Sequence, residues 1–212
     1  MSDPPEHALD HVRDYFTQCI ERHGPSPRGV DWNTIDVQEM RFAQLMRVRD
    51  SEGPFSLVDW GCGYGALYDY LRARAIAFTY VGYDITPAVL EHARATHPSA
   101  PDAHFVSELA DVPKADYVVA SGVYNIKNTQ THEAWTTFAR EQLQHMFERA
   151  ERAIAVTFLT SYSDPPKQRP NLYYADPLAM FDFAKRSLSP HVAVLHDYGH
   201  WDFTLIVRKA AL

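Results

Sequence analysis

The most informative part of this 212-residue chain is the segment Val58-Asp59-Trp60-Gly61-Cys62-Gly63-Tyr64-Gly65-Ala66-Leu67. An apolar run that begins at Phe55 leads into an acidic residue, and three glycines then follow at alternate positions. Beyond Gly65 the apolar residues have helical spacing, so the segment predicts a strand, a glycine loop and a helix. Glycines let the backbone turn sharply and let a ligand lie against the main chain. Because strands and helices continue to alternate downstream, we predict a nucleotide-type site in an α/β sheet.

The remaining elements follow from the spacing of apolar residues. Helical spacing predicts helices at 7–23, 36–49, 65–74, from Thr86 onward, at 132–150 and at 177–188. Short apolar runs predict strands at 55–60, 78–83, 104–106, 117–120, 153–158, 191–196 and 201–208. The last two strands are close enough to form a hairpin. We therefore expect an N-terminal helical cap at 1–50 and an α/β core at 51–212, together forming a single structural domain.

Composition and charge narrow the classes of function. The net charge of −7 gives no electrostatic indication of nucleic-acid binding, and no apolar run approaches the length of a membrane span. The acidic, proline-bearing start, residues 1–10, does not resemble a secretion signal. Cys19 and Cys62 are the only cysteines, and their contexts do not suggest a structural disulfide. We therefore expect a cytoplasmic protein without a membrane or nucleic-acid partner.

The glycine loop alone is ambiguous, because Gly61-x-Gly63-x-x-Ala66 also satisfies a dinucleotide-binding fingerprint. Two carboxylates favour a different ligand. Asp59 precedes the loop within the strand, where it repels a pyrophosphate but suits an ammonium group. Asp84 closes the second strand, where it can accept hydrogen bonds from ribose hydroxyls. The closing hairpin is a further feature that a simple dinucleotide fold does not require.

Together these residues resemble the class I S-adenosylmethionine-dependent methyltransferases, over roughly residues 55–208. The resemblance implies a Rossmann-like, seven-stranded mixed sheet in the order 3-2-1-4-5-7-6, with strand 7 antiparallel and helices on both faces. It implies that the glycine loop contacts the methionyl half of S-adenosyl-L-methionine and that Asp84 holds the ribose. Glu108, after the third strand, would meet the adenine amino group, and Arg41 on the second helix would bind the cofactor's carboxylate. The predicted cofactor-binding residues are Asp59, Gly61, Cys62, Gly63, Asp84, Ile85, Glu108, Leu109 and Arg41.

The resemblance places the methyl acceptor beside the ends of strands 4 and 5, under the N-terminal cap. The segment after strand 4 lacks the Asn/Asp-Pro-Pro-aromatic tetrapeptide of enzymes that methylate amino groups of nucleic acids. We predict a small polar metabolite, methylated at nitrogen or oxygen, with the acidic composition favouring amino-bearing ligands. The candidate substrate-binding residues are Tyr124, Asn125, Tyr173, Tyr174 and Asp176, although Asp176 before Pro177 also fits a plain helix N-cap.

The residues that carry catalysis stay open at this stage. A general base is needed only if the acceptor arrives protonated, and the candidates are Tyr124, Asn125 and His200, with His132 as a further possible base. Trp32 and Tyr15 could cover the site or belong to the core. We predict no metal site, because strand periodicity separates His191 from His196.

Three other functions compete with this prediction. A peptide or protein acceptor is the first alternative. An NAD(P)-dependent oxidoreductase is the second, although the chain has no Tyr-x-x-x-Lys pair for hydride-transfer chemistry. A non-catalytic cofactor-binding protein is the third, and the intact glycine loop with Asp59 and Asp84 disfavours lost cofactor binding. Nothing in the sequence defines the oligomeric state.

Overall fold

The computed structural model describes residues 6–98, 100 and 102–211. Within that part the helices are α1 (Glu6–His23), α2 (Ile35–Leu45), α3 (Ala66–Ala73), α4 (Pro87–Thr96), α5 (His132–Arg149) and α6 (Pro177–Ser187). The strands are β1 (Phe55–Trp60), β2 (Phe78–Tyr83), β3 (Ala103–Val106), β4 (Ala115–Ser121), β5 (Ala150–Thr160), β6 (Tyr174–Ala175), β7 (His191–Leu195) and β8 (Asp202–Arg208). Residues 1–5 of the predicted cap lie outside the described residues.

The strands form one mixed sheet in the order β3-β2-β1-β4-β5-β8-β7. All neighbouring pairs up to β5 are parallel, and β8 runs antiparallel to both β5 and β7. This confirms the predicted strand order and the antiparallel strand made by the closing hairpin. The structure adds β6, which pairs with the end of β5 and was not predicted because two residues are too short to show a pattern.

Two predicted elements differ from the structure more than the others in their bounds. The second helix ends at Leu45, four residues before its predicted end at 49, and a 3₁₀ turn follows it at Met46–Val48. The fifth strand runs over Ala150–Thr160, and not only over 153–158, because its ends pair with β4 and with β6. Pairing partners, which a local sequence pattern does not contain, therefore set both ends of β5.

Alternation along β1 explains how the core divides into two apolar clusters. Val58 and Trp60 belong to a cluster that includes side chains of α5 and α6, whereas Phe55 and Leu57 belong to a cluster that includes α2 and α3. Successive strand residues point to opposite faces, so each strand contributes to both clusters. Complete burial of one such side chain contributes about 1.5–3 kcal/mol. Asp59 is the buried polar exception in this strand.

The N-terminal helices pack onto the same sheet. Helix α1 contacts α4, and α2 contacts α3, β4 and β5. Helix α2 begins where the Thr34 hydroxyl accepts a hydrogen bond from the Val37 amide, at 3.4 Å. The segment between the two helices lies against the loops that follow β1 and β4, through Val30 and Trp32. The division at residue 50 stays a prediction, but this packing brings the N-terminal segment to the carboxyl ends of the strands.

Candidate active site

A cavity of about 240 Å³ lies at the carboxyl ends of β1, β2 and β4, under the N-terminal helices. Its floor is the glycine loop after β1, and α1 and the 24–34 segment contribute Phe16, Val30 and Trp32. Most of the lining is apolar, with a few polar side chains among aromatic rings. This combination is typical of a small-molecule site, and its position is the usual one for open α/β sheets.

The glycine loop has a backbone that side chains would disturb. Gly61 and Gly63 have φ angles of +78° and +56°, in the left-handed region that favours glycine. A Cβ atom on Gly63 would come within 2.9 Å of Val30 Cγ1, and one on Gly61 within 2.3 Å of a Val123 methyl group. The loop is anchored because the amides of Gly61 and Cys62 donate hydrogen bonds to the Tyr83 carbonyl, at 2.6 and 3.0 Å. The bare backbone therefore forms one wall of the cavity.

Asp84 follows β2 and faces the loop from the neighbouring strand. Its carboxylate accepts hydrogen bonds from the Gly63 amide at 3.0 Å and from the Thr86 amide at 2.8 Å. Burial raises the pKa of Asp84, and these two backbone donors oppose that rise. Each carboxylate oxygen keeps a further lone pair, so the group can still accept hydrogen bonds from a diol.

Asp59 lies deeper in the same cavity and is hydrogen-bonded to a tyrosine. The Tyr80 hydroxyl donates to Asp59 Oδ2 at 2.7 Å, and both residues are buried. Burial raises the pKa of Asp59 to about 7, with the nearby charge of Asp84 adding to the rise and the Tyr80 hydrogen bond opposing it. A carboxyl group with a pKa near neutrality in a cleft is a common sign of a functional site.

Gln38, Tyr64 and Ser121 also line the cavity, although they are not among the candidate residues of the sequence analysis. Gln38 is buried and accepts a hydrogen bond from the Tyr64 hydroxyl at 3.0 Å, and both line the cavity. Ser121 Oγ is buried and has no hydrogen-bond partner within the part of the chain that the structure describes. A buried hydroxyl without a partner is costly unless a ligand or water satisfies it. The diol acceptor at Asp84, the open backbone at Gly63 and this hydroxyl together fit a polar ligand with a ribose.

The other predicted cofactor residues separate into two groups. Cys62, Ile85 and Leu109 line the cavity, as the prediction requires. Glu108 is exposed, and it is absent from the lining of both described cavities, so the structure offers no contact that supports its adenine role. Its side chain lies at the start of a 3₁₀ turn, Leu109–Asp111, where a solvated carboxylate is ordinary.

Arg41 has a different environment from the one expected. Its guanidinium forms a buried ion pair with Asp202 of β8, donates to the Val37 carbonyl at 2.9 Å, and lies 4.1 Å from the centre of the Trp32 ring. It lines a second cavity, of about 200 Å³, and not the first. The prediction did not foresee the carboxylate of Asp202, which already occupies one side of the guanidinium.

The two cavities meet at a shared wall. Phe16, Val30, Trp32 and Gly122 line both of them. A Cβ atom built on Gly122 would come within 2.5 Å of the Trp32 ring, so the indole lies directly on the backbone after β4. A ligand in one cavity is therefore separated from a ligand in the other by a few side chains.

Two acceptor candidates lie at this wall, but their polar groups are engaged. The Tyr124 hydroxyl donates to the Met146 thioether at 3.5 Å, inside the core, and burial raises its pKa. The hydroxyl is therefore engaged inside the core, and the acid–base role of Tyr124 stays a prediction that this contact does not support. Asn125 lines the second cavity, and its Oδ1 accepts a hydrogen bond from the Leu159 amide at 3.2 Å.

The predicted acceptor segment at 173–176 stays a prediction, and none of its candidates lines either described cavity. Tyr173 is buried with its hydroxyl 2.9 Å from Thr136 Oγ1, and the Tyr174 hydroxyl accepts from the Arg169 amide at 3.0 Å. Asp176 caps α6, accepting from two amides of the first turn at 2.8 and 3.2 Å.

The histidine candidates are also outside the cavities. His200 lies exposed between β7 and β8, and His132 lies exposed at the start of α5 with its ring 4.9 Å from that of Tyr173. Of the two possible covering residues, Trp32 lines both cavities, whereas Tyr15 lines neither. Among the described residues, no cluster of three or more His, Cys, Asp or Glu side chains is arranged to hold a metal ion.

None of the described helices combines the length and apolarity that crossing a membrane requires.

Comparison with known proteins shows which family this chain is similar to. Residues 58–149 match the family model described as a methyltransferase domain. The curated Mycobacterium tuberculosis protein named "Putative methyltransferase Rv1506c" is 42% identical over 166 residues, which are 78% of this chain and 100% of that protein.

Solved structures resemble the fold along nearly the whole chain. The magnesium protoporphyrin IX methyltransferase ChlM from Synechocystis PCC 6803, with bound SAM, has a TM-score of 0.65 and 16% identity, covering 99% of this chain and 100% of that one. The N-methyltransferase NodS from Bradyrhizobium japonicum WM9, in complex with S-adenosyl-L-homocysteine, has a TM-score of 0.61 and 14% identity, covering 91% and 97%. At such identities the likeness concerns the fold.

Proposed function

Because the chain belongs to the class I S-adenosylmethionine-dependent methyltransferases, we propose that it methylates a nitrogen or oxygen atom of a small polar metabolite. It is an enzyme, and its cofactor is S-adenosyl-L-methionine. The observation that carries the proposal is the pair of adjoining cavities. One contains the glycine loop and two carboxylates, and the other is polar and lies across Trp32 from the first. A donor and an acceptor can therefore be held side by side.

We assign the first cavity to the cofactor, whose positively charged sulfur supplies the methyl group. Asp84 would hold the ribose hydroxyls, and the backbone at Gly61 and Gly63 would lie along the methionyl half. Asp59, deeper in the cavity, would face the ammonium group. Ile85 and Leu109 supply the apolar wall on which an adenine would lie. Of the predicted cofactor residues, Glu108 and Arg41 are left out of this assignment because neither lines the cavity.

We assign the second cavity to the acceptor. A volume of about 200 Å³ suits a small molecule or a single side chain. Positioning of two reactants can supply on the order of 7–11 kcal/mol towards the barrier, so the chain needs to align the acceptor and to exclude water. Leu9 and Phe16 of α1 and Trp32 cover the site from the N-terminal side. The names of the structural relatives include a porphyrin enzyme and an N-methyltransferase, so the fold itself does not select the acceptor atom.

The residues predicted as possible general bases offer little acid–base chemistry to the acceptor. The Tyr124 hydroxyl is bonded inside the core, and His200 and His132 are exposed outside the cavities. An acceptor that arrives with a free lone pair needs no base. We therefore expect a neutral amine or an ionised oxygen at the reacting position, not an alkyl hydroxyl.

The first test is cofactor binding by the full-length chain. We expect S-adenosyl-L-homocysteine to raise the melting temperature, since a ligand at 100 times its dissociation constant adds about 2.7 kcal/mol to stability. NADH should have no effect. Stabilisation by NADH, with none by S-adenosyl-L-homocysteine, would contradict the assignment.

The second test concerns the acceptor class. A cell extract is separated into a fraction below about 1 kDa and a protein fraction, and each is incubated with the enzyme and with methyl-labelled cofactor. The proposal expects labelled product in the small-molecule fraction. Label found only in the protein fraction would support the peptide alternative, in which a single side chain enters the second cavity.

A further inference from the structure

The lining of the second cavity has a charge balance opposite to that of the chain. The whole chain carries a net charge of −7. The charged residues that line the second cavity are two arginines, Arg41 and Arg169, and one aspartate, Asp31. Two asparagines, Asn33 and Asn125, complete its polar lining. A ligand in this cavity therefore meets an excess of hydrogen-bond donors.

Arg41 is the buried member of these charged lining residues. Its side chain is only 7% exposed, and Asp202 balances its charge on the side of β8. Its Nε atom is buried and has no hydrogen-bond partner among the described residues. The Trp32 ring covers the guanidinium at 4.1 Å, and the same ring forms the wall shared with the first cavity. One donor of a buried guanidinium is thus left unsatisfied beside the cavity.

The remaining charges of the cavity are not equivalent. Asp31 lies exposed at the start of the 31–34 segment, and its charge adds to the rise that burial causes in the pKa of Tyr15. Arg169 is exposed, and its guanidinium forms no ion pair with any described residue. Its backbone amide is held by the Tyr174 hydroxyl, which fixes the position of its Cα beside Leu172 and Asn125. The second cavity is therefore lined by one exposed arginine without an ion pair among the described residues and by one buried arginine.

We propose that the acceptor carries an anionic oxygen group, a carboxylate or a phosphate, that enters the second cavity and is bound by Arg169 at the rim and by the Arg41 side of the cavity. The proposal rests on the assignment of this cavity to the acceptor. It gives the acceptor an anionic group, which the expectation of an amino-bearing ligand drawn from the composition did not include. The planar fork of arginine matches both carboxylate and phosphate geometry, which is why two arginines favour such a group.

The test uses the full-length chain loaded with S-adenosyl-L-homocysteine. Isothermal titration calorimetry with benzoate, inorganic phosphate and benzylamine, at constant ionic strength, compares a carboxylate, a phosphate and an amine. We expect one of the two anions to bind and benzylamine not to bind, and the binding anion identifies which group is recognised. Constant ionic strength is needed because salt screens exposed charges over about 8 Å under physiological conditions.

The variant Arg169→Gln removes the unpaired cation without disturbing the buried pair. We expect it to weaken anion binding about tenfold, because it removes a charge-assisted hydrogen bond to the anion. Arg186→Gln is the matched control, because it makes the same change on an exposed arginine that lines neither cavity. Both variants should bind S-adenosyl-L-homocysteine as the unmodified chain does.

The outcomes separate this inference from the proposed function. Failure to bind S-adenosyl-L-homocysteine would overturn the cofactor site and with it both proposals. Normal binding of that ligand, with benzylamine bound more tightly than either anion, would overturn the anionic acceptor alone. Anion binding that Arg169→Gln leaves unchanged would likewise overturn it, since the anion would then be bound elsewhere.

Discussion

Replacing Tyr80 by phenylalanine should raise the pH below which the protein loses affinity for its cofactor. The Tyr80 hydroxyl donates to Asp59 Oδ2 at 2.7 Å, in a buried position. Tyr80 does not line the cavity, so the substitution leaves the ligand's contact surface unchanged. It removes the hydrogen bond that opposes the burial-induced rise in the pKa of Asp59.

The size of the shift follows from the energy of that bond. A hydrogen bond to a charged group contributes about 1.5–3 kcal/mol, and one pKa unit corresponds to about 1.36 kcal/mol. Loss of the hydroxyl should therefore raise the pKa of Asp59 from about 7 by roughly one to two units. If the cofactor's ammonium group binds the ionised carboxylate, the ionised fraction at pH 7 falls from about one half to between about one tenth and one hundredth. Affinity at pH 7 should fall about 5- to 50-fold, and it should recover at high pH.

The assay is calorimetric titration of S-adenosyl-L-homocysteine between pH 5.5 and 9.5. In the unmodified protein the affinity should fall below pH 7, and in Tyr80→Phe the fall should begin one to two units higher. Tyr117→Phe is the matched control, since it removes a tyrosine hydroxyl bonded to Asp50, far from both cavities. Identical pH profiles for the unmodified protein and Tyr80→Phe would refute the argument that Tyr80 sets the charge of Asp59.

The same carboxyl group has a consequence for the stability of the free protein. Its pKa is raised from an ordinary value of 3.8 to about 7, so the unfolded chain releases this proton first as pH rises. Stability is therefore complete below about pH 4 and is lost as pH rises through 7, by up to about 4 kcal/mol for this group alone. A bound ammonium group would offset that loss, so the stabilisation by S-adenosyl-L-homocysteine should be larger at pH 8 than at pH 5.5.

The remaining predictions concern the loop, the ribose site and the buried ion pair. Gly63→Val should abolish S-adenosyl-L-homocysteine binding in calorimetry while the circular dichroism spectrum stays native, because even a Cβ atom there would come within 2.9 Å of Val30. Asp84→Ala should leave the ribose hydroxyls unpaired and weaken that binding by about 1.5–3 kcal/mol; an unchanged dissociation constant would remove Asp84 from the site. Asp202→Ala leaves the buried Arg41 guanidinium without its carboxylate and should lower the free energy of unfolding in urea by about 3–5 kcal/mol, whereas a loss below 1 kcal/mol would show that water reaches the pair.

The cofactor half of the site was largely predictable because its signals are local. The left-handed turns at Gly61 and Gly63 require glycine, and the carboxylate of Asp84 follows a strand that an apolar run reveals. The contact between Tyr80 and Asp59 could also have been predicted. Because β1 and β2 pair in parallel with Asp59 opposite Gly82, Tyr80 lies two residues away on the same face of the neighbouring strand.

The acceptor half was not predictable, because its contacts join distant parts of the chain. Arg41 was expected to bind a ligand carboxylate, but Asp202, 161 residues away, provides one inside the protein. For Asp176, by contrast, the local sequence was informative. The local sequence Asp-Pro already predicted a helix cap, and the structure shows that cap and no cavity contact. The resemblance predicted a general region for the acceptor, whereas the pairing of β6 with β5 could not be predicted from the local sequence.

The two cavities differ in the charges of their lining residues, and the net charge of the chain does not reveal this difference. Exposed charges beyond about 8 Å are screened at physiological salt, whereas buried groups in contact with a ligand are not. The first cavity is lined by Asp59 and Asp84 with no lysine or arginine, and the second by two arginines and one aspartate. A cationic donor and an anionic acceptor would therefore each be favoured on its own side of Trp32 and disfavoured on the other. The net charge of −7 reflects the solvated surface, and the selection of ligands depends on the few charges that line each cavity.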